Sequence, residues 1–300
     1  MEEEVIDIST ALDLMGGFGR LQMIATFALA LTRNSGDFPY YCFAYMTLGQ
    51  LYLCRYDSSE PFSTCSTETD ICPALANGTP IEFKVDTSYE YYLDNWYVQM
   101  NLMCSSEVRT NFLIIAYTIS FGVAGFLFFP LPEIYGRRIT VLITFAFSLI
   151  AQYILAFSPV YYVKILGFVM LGLCQMKNTL GYVWSSELVP TRNNVAVNAS
   201  ISSLDQLTPG IACFYFLYVS RDIVPLLIGV TVLGTLGFVL DALILPESPI
   251  WLLNQGRTKD AIQVLNYIGR FNGVKTQLPE TTLFKETVYY GPADGETTVD

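Results

Sequence analysis

Six apolar stretches, each long enough to cross a bilayer, run through this chain at 21–53, 111–131, 139–158, 161–185, 196–219 and 223–245. A hydrocarbon core takes roughly 20 consecutive apolar residues in a helix. Every backbone amide and carbonyl inside it must be satisfied within the segment, so each run reads as a helix rather than a strand. The expected fold class is all-α: a polytopic membrane protein with six transmembrane helices. Composition agrees, since charged residues make 14% of the 300 residues where a soluble domain carries about 25%.

The same composition removes whole classes of function. There is no histidine, hence no imidazole base, proton shuttle or ligand. A net charge of −11 without a basic cluster leaves no footprint for nucleic acid. No glycine-rich phosphate loop and no metal-ligand spacing among the cysteines is present. No catalytic residue, cofactor or metal is expected, and the chain is not read as an enzyme.

The first residues, Met1-Glu-Glu-Glu4, are acidic where a secretory or mitochondrial leader is basic. The first apolar run is therefore expected to direct insertion itself. Six spans put both ends of the chain on one side, and the basic residues choose which. Arg20, Arg137, Arg138, Arg192, Arg257, Lys259, Arg270, Lys275 and Lys285 fall on one side, against Arg55, Lys84, Arg109 and Arg221 on the other. Nine against four places residues 1–20, and everything beyond 245, inside.

That topology makes 54–110 a large outer loop. It holds Cys54, Cys65, Cys72 and Cys104, which read as two disulfides in an oxidising compartment with three pairings open, or as four free thiols in a reducing one. Cys42, Cys174 and Cys213 lie in spans, where a thiol acts as a small apolar group. Asn77-Gly-Thr79 is a glycosylation sequon on the outer side. On the inner side, 246–276 carries a motif and an amphipathic helix in which Thr258 can serve as cap and Ala261, Leu265 and Ile268 share a face. Residues 277–300, rich in Pro and Gly, read as an extended tail.

Three inner-face motifs stand out: Leu131-Pro-Glu-Ile-Tyr-Gly-Arg-Arg138, Glu187-Leu-Val-Pro-Thr-Arg192 and Pro246-Glu-Ser-Pro-Ile-Trp-Leu-Leu-Asn-Gln-Gly-Arg257. With Gly17-Phe-Gly-Arg-Leu-Gln22 and Met100-Asn-Leu-Met-Cys104, they resemble the organic cation and anion transporter family of the major facilitator superfamily. The resemblance implies the N-terminal six-helix half of a twelve-helix carrier, in which two halves rock about a solute between them. It also implies an inner gating cluster, carried here by Glu133, Gly136, Arg137, Arg138, Glu187, Arg192, Glu247 and Arg257. Ile134 and Ile250 stand where the family has arginines, and Phe129 where the first motif opens with glycine. Loss of arginines from such a cluster reads as a weakened gate.

Charges at bilayer depth cost about 2.5–3.5 kcal/mol each on insertion scales. Arg33 and Asp37 are four apart in the first span, and a helix would let them neutralise each other. Their functional alternative is a substrate cavity shared with Lys177 and Asp205. Lys177 either faces that cavity or snorkels to the interface, with Asp205 as a partner. Lys164, Arg221, Asp222 and Asp241 lie close enough to span ends to be interfacial.

Two functions compete. In the first, the chain is a degenerate half-transporter kept as an accessory subunit of a larger membrane complex. In the alternative it is an active organic-ion transporter, working as a homodimer of halves or as part of a twelve-helix carrier. The expected partners are the lipid bilayer and either other membrane subunits or a second copy. The family resemblance implies the plasma membrane; an accessory subunit would also fit an organellar membrane, the mitochondrial inner membrane included.

Overall fold

Helices dominate the computed structural model, which describes residues 5–285. A two-residue strand β1 (Val5–Ile6) and α1 (Ile8–Leu14) lead into the long α2 (Arg20–Tyr41) and a single turn, α3 (Phe43–Met46). The segment that follows holds β2 (Tyr52–Arg55), β3 (Ser63–Cys65), α4 (Cys72–Asn77), β4 (Glu82–Val85) and α5 (Trp96–Gln99). Then come α6 (Glu107–Phe128), α7 (Leu131–Tyr135), α8 (Arg137–Phe157), α9 (Tyr161–Leu173) and α10 (Met176–Glu187). The chain continues through α11 (Asn194–Tyr218), α12 (Ile223–Ile244), α13 (Pro249–Asn254), α14 (Thr258–Asn272) and β5 (Leu283–Phe284).

Three of these, α6, α8 and α12, are long and apolar enough to cross a membrane by length and composition alone. The starts of α6 and α12 are specified locally. The Ser106 hydroxyl accepts from the Arg109 amide at 3.3 Å, and the Asp222 carboxylate accepts from the Val224 amide at 2.9 Å. Many large side chains stay uncovered, such as Phe126, Leu207, Phe214 and Leu243. On helices of this length such exposure is what a lipid solvent permits and water does not.

Helix α2 is the hub, packed against α8, α10, α11 and α12. Its closest neighbour is α12, because Gly237 removes the side chain at the crossing: a Cβ there would stand 2.8 Å from the Ala28 carbonyl oxygen. Small residues at helix crossings let backbones approach and replace the missing hydrophobic drive in lipid. One apolar core lies near the 54–110 segment, built on Phe38, Trp96, Leu155, Phe168 and Phe216. A second, at the opposite end, joins Leu21, Phe145, Trp184, Leu265 and Ile268.

Several boundaries differ from the expectation. The first span, read as 21–53, ends as a helix at Tyr41, with Pro39 in its last turn. Residues 52–55 instead form the central strand of the antiparallel sheet β3-β2-β4, in which Cys54 lies opposite Ser63 and Phe83. The run 161–185 is broken at Cys174–Gln175 into α9 and α10. Arg257, not Thr258, occupies the N-cap position of α14, and Gly273 closes that helix at φ +85°. Ala261, Leu265 and Ile268 are all buried, and α14 packs on α1, α2 and α13. Part of the stretch read as an extended tail is anchored. The Leu278 amide donates to Asn266 Oδ1 at 2.8 Å, and Leu283–Phe284 pairs in parallel with Val5–Ile6. Residues 286–300 of that tail, and the acidic 1–4, lie outside the described residues.

Candidate functional site

Four charges are brought together by α2, α10 and α11, all at most 8% exposed: Arg33, Asp37, Lys177 and Asp205. They pair, but not as expected. Arg33 and Asp37 do not neutralise each other. Arg33 Nη2 reaches Asp205 Oδ2 on α11 at 2.9 Å, and Lys177 Nζ on α10 reaches Asp37 Oδ1 at 2.9 Å. Lys177 therefore neither snorkels nor takes Asp205 as its partner. Four residues along a helix advance the side chain about 40° around the axis, enough here for α11 to claim one charge and α10 the other.

Neutral groups surround both pairs, although Arg33 Nε and Nη1 and Asp205 Oδ1 are buried without a hydrogen-bond partner among the described residues. Asn178 Nδ2 donates to Asp37 Oδ2 at 2.6 Å, and Lys177 also donates to Gln175 Oε1 at 3.2 Å. The Arg33 guanidinium lies 3.7 Å over the Tyr182 ring, a cation–π contact, and the Tyr182 hydroxyl meets Ser202 Oγ at 2.6 Å. Gly36 makes the Lys177 crossing fit, since a Cβ there would collide with Lys177 Cε. Further along α2, Ser35 donates to Gln152 at 2.7 Å and Thr32 to Asp241 at 2.8 Å. One helix thus presents polar groups to four neighbours. The cluster holds two cations and two anions, so separating either pair exposes one charge of each sign.

The inner-motif residues form a second site around the α7–α8 junction. Arg137, 2% exposed, sits between Glu133 Oε1 at 2.8 Å and Glu187 Oε2 at 3.5 Å. Glu247 Oε1 accepts from the Arg138 amide at 3.0 Å and the Ser248 amide at 2.9 Å. Arg138 closes the end of α12, donating to the carbonyls of Leu245 at 2.8 Å and Ala242 at 2.6 Å. Trp251 Nε1 donates to the Glu133 carbonyl at 2.9 Å. Gly136 is required twice over: its φ of +102° suits glycine, and a Cβ would lie 2.6 Å from Glu247 Oε2.

Ile134 is exposed and Ile250 packs against the second core, and even without arginines at these two positions Glu133, Glu187 and Glu247 have partners. Arg192 and Arg257 stand apart from this knot. Arg192 pairs with Asp13 at 2.9 Å and Arg257 with Asp260 at 2.7 Å, both on the surface.

At the other end, the cysteines pair as Cys54–Cys65 and Cys72–Cys104, with Cα separations of 5.9 and 5.5 Å, while Cys42, Cys174 and Cys213 are free. Asn77 is exposed at the end of α4. Lys164 and Asp241, expected at interfaces, are instead fully buried. The Lys164 ammonium donates to the Leu155 carbonyl at 2.8 Å and lies 3.9 Å over the Trp96 ring, pinning α5 onto α9. Arg221 donates to the carbonyls of Glu90 and Tyr92, holding the same segment to the start of α12. Among the described residues no group of His, Cys, Asp and Glu could hold a metal.

Residues 92–287 match the Major Facilitator Superfamily. The chain belongs to that superfamily. It is 25% identical over 197 residues to organic cation/carnitine transporter 2 of Homo sapiens, covering 62% of this chain and 34% of that protein. It is 29% identical over 182 residues to a beta-alanine transporter of Drosophila melanogaster, covering 59% of this chain and 29% of the relative. Monosaccharide-sensing protein 2 of Arabidopsis thaliana is 29% identical over 192 residues, 61% of this chain and 24% of its own. The chain spans about a third or less of the length of these relatives. Within the superfamily it is organic cation transporter-like, an integral membrane protein and not an enzyme.

Proposed function

We propose that this chain is one half of a plasma-membrane carrier for small organic cations or zwitterions. In this reading α2, α6, α8, α11 and α12, with the broken α9–α10 pair, make six spans. Both ends lie inside, and the disulfide-bearing segment 54–110 lies outside. A second six-span unit, in the same polypeptide or a second copy, supplies the opposite wall of the pathway.

The observation that carries the reading is the pair of ion pairs Arg33–Asp205 and Lys177–Asp37. Four charges at bilayer depth are costly, and helix packing alone could be met by apolar residues. A zwitterionic solute matches them, its carboxylate exchanging for Asp205 on Arg33 while its ammonium takes the carboxylate released. Relatives named for organic cation/carnitine and beta-alanine transport support this choice. The accessory-subunit reading has no such support, and the weakened gate that was part of its basis is offset by a partner for every inner carboxylate of the motifs.

The test is uptake by the full-length gene product in proteoliposomes, with a quaternary ammonium carboxylate, a tetraalkylammonium and a simple carboxylate as solutes. Arg33→Gln should lose the carboxylate-bearing solutes selectively, and Asp205→Asn the ammonium-bearing ones. Equal effects of both variants on all three solutes would overturn the assignment.

A further inference from the structure

Two cavities flank the first turns of α8, and nothing in the transport reading uses them. The first, about 540 Å³, opens at the α7–α8 junction and is lined by Arg138, Arg257 and Arg270 with Glu247 and Asp260. Three arginines face two carboxylates, and the carboxylates are engaged: Glu247 by the Arg138 and Ser248 amides, Asp260 by Arg257. Arg138 is turned toward neutral carbonyls, and among the described residues Arg270 makes no ion pair. The cavity is therefore net cationic, with planar donors suited to phosphate oxygens. Tyr135 and Trp251 complete its wall, the aromatic lining expected at a membrane–water boundary.

The second cavity, about 350 Å³, is wholly different in character. It lies beside the α9–α10 break and is lined by Ile143, Phe147, Met170, Cys174 and Met176, among others, almost without polar surface. Ile139 lines the first cavity and Ile143 the second. Being one turn apart on α8, and both about half exposed, they make an apolar strip that joins the two.

We infer that this composite groove binds an anionic phospholipid of the inner leaflet, its phosphate among Arg138, Arg257 and Arg270 and one acyl chain along Ile139 and Ile143 into the apolar cavity. A charged headgroup above and a dry, chain-wide slot below are the two halves of one amphiphile; a soluble phosphate lacks the chain, and a zwitterionic lipid brings a headgroup cation into a net cationic cavity. A lipid seated there bridges α8 to α14 across the knot that holds the inner motifs together. The inference rests on the proposed orientation, in which the α7–α8 end faces inside.

The experiment is native mass spectrometry of the full-length protein, released from micelles doped with phosphatidylglycerol, phosphatidylcholine, short-chain phosphatidylglycerol or inorganic phosphate alone. The expected result is retention of phosphatidylglycerol over phosphatidylcholine. That preference should fall about tenfold in R257Q/R270Q, as basic residues near a lipid headgroup each contribute modestly. Ile143→Trp, which fills the apolar slot, should lower retention of the long-chain lipid and leave the short-chain one unchanged. Equal retention of the two long-chain lipids overturns the inference. So does displacement by inorganic phosphate, which would make the cavity a site for soluble phosphate. A separate arm keeps the topology distinct: Arg270→Cys should react with an impermeant maleimide only from the inner side. Outer labelling would sink the orientation itself, whereas inner labelling without lipid preference sinks only the lipid site.

Discussion

Replacing Lys177 by methionine isolates one charge of the central cluster. Methionine keeps the unbranched stem that passes Gly36 and deletes only the ammonium. At the observed 2.9 Å the Lys177–Asp37 attraction is about 6 kcal/mol with an effective dielectric of about 20. The hydrogen bond from Asn178 to the Asp37 carboxylate remains and retains about 1.5–3 kcal/mol of that support. The expected destabilisation is thus about 3–5 kcal/mol, the range seen when one member of a buried pair is left alone. Removing both charges, Lys177→Met with Asp37→Leu, should return stability to within about 1–2 kcal/mol of wild type, because no charge is then buried unpaired. Detergent-titrated unfolding followed by tryptophan fluorescence reads both numbers, and Trp184 on the same helix reports locally. A single variant costing under about 1 kcal/mol, or a double variant no better than the single, would refute the argument from burial.

Three further outcomes follow from the packing. Gly237→Ala places a methyl 2.8 Å from the Ala28 carbonyl and should cost about 1–3 kcal/mol in the same assay, whereas Gly229→Ala, with open space around it, should stay within about 0.5 kcal/mol. Loss of the Cys72–Cys104 bridge, which spans 32 residues, should destabilise the outer segment by about 4 kcal/mol, against about 3 for the 11-residue Cys54–Cys65 bridge; limited proteolysis of Cys→Ser variants ranks them. Glycosidase treatment of protein from a eukaryotic host should increase its gel mobility, and Asn77→Gln should abolish the shift.

What the sequence made legible was whatever depended on hydrophobic runs and local caps. Helices α6, α8 and α12 are nearly uninterrupted apolar segments, so their existence could be read directly. The first run was overextended to 53 because Leu51, Tyr52 and Leu53 continue the apolar pattern. These residues instead serve a strand whose partners, 63–65 and 82–85, come later in the chain. The Arg33–Asp37 spacing mimicked a helical pair, and only the positions of α10 and α11 decide that the two charges part company. Residues such as Tyr182 and Gln152 carried no distinguishing signal, since an amide or phenol in a span gains its meaning from what faces it. The inner knot was hard to read for another reason. Glu247 and Arg138 are satisfied by backbone amides and carbonyls, which leave no trace in a motif, so the arginines missing at 134 and 250 looked more damaging than they are.

The central claim is that the buried ion pairs serve solute passage and are not only packing. Arg33→Leu/Asp205→Leu tests it most directly, because it removes the pair with which the solute exchanges and leaves no charge buried unpaired. Counterflow of labelled quaternary ammonium carboxylate into proteoliposomes would be measured for wild type, this double variant and empty vesicles. The account predicts flux for wild type and none above empty vesicles for the double variant, at equal reconstituted protein. Wild-type flux from the double variant would contradict it and leave the pairs as structural elements alone.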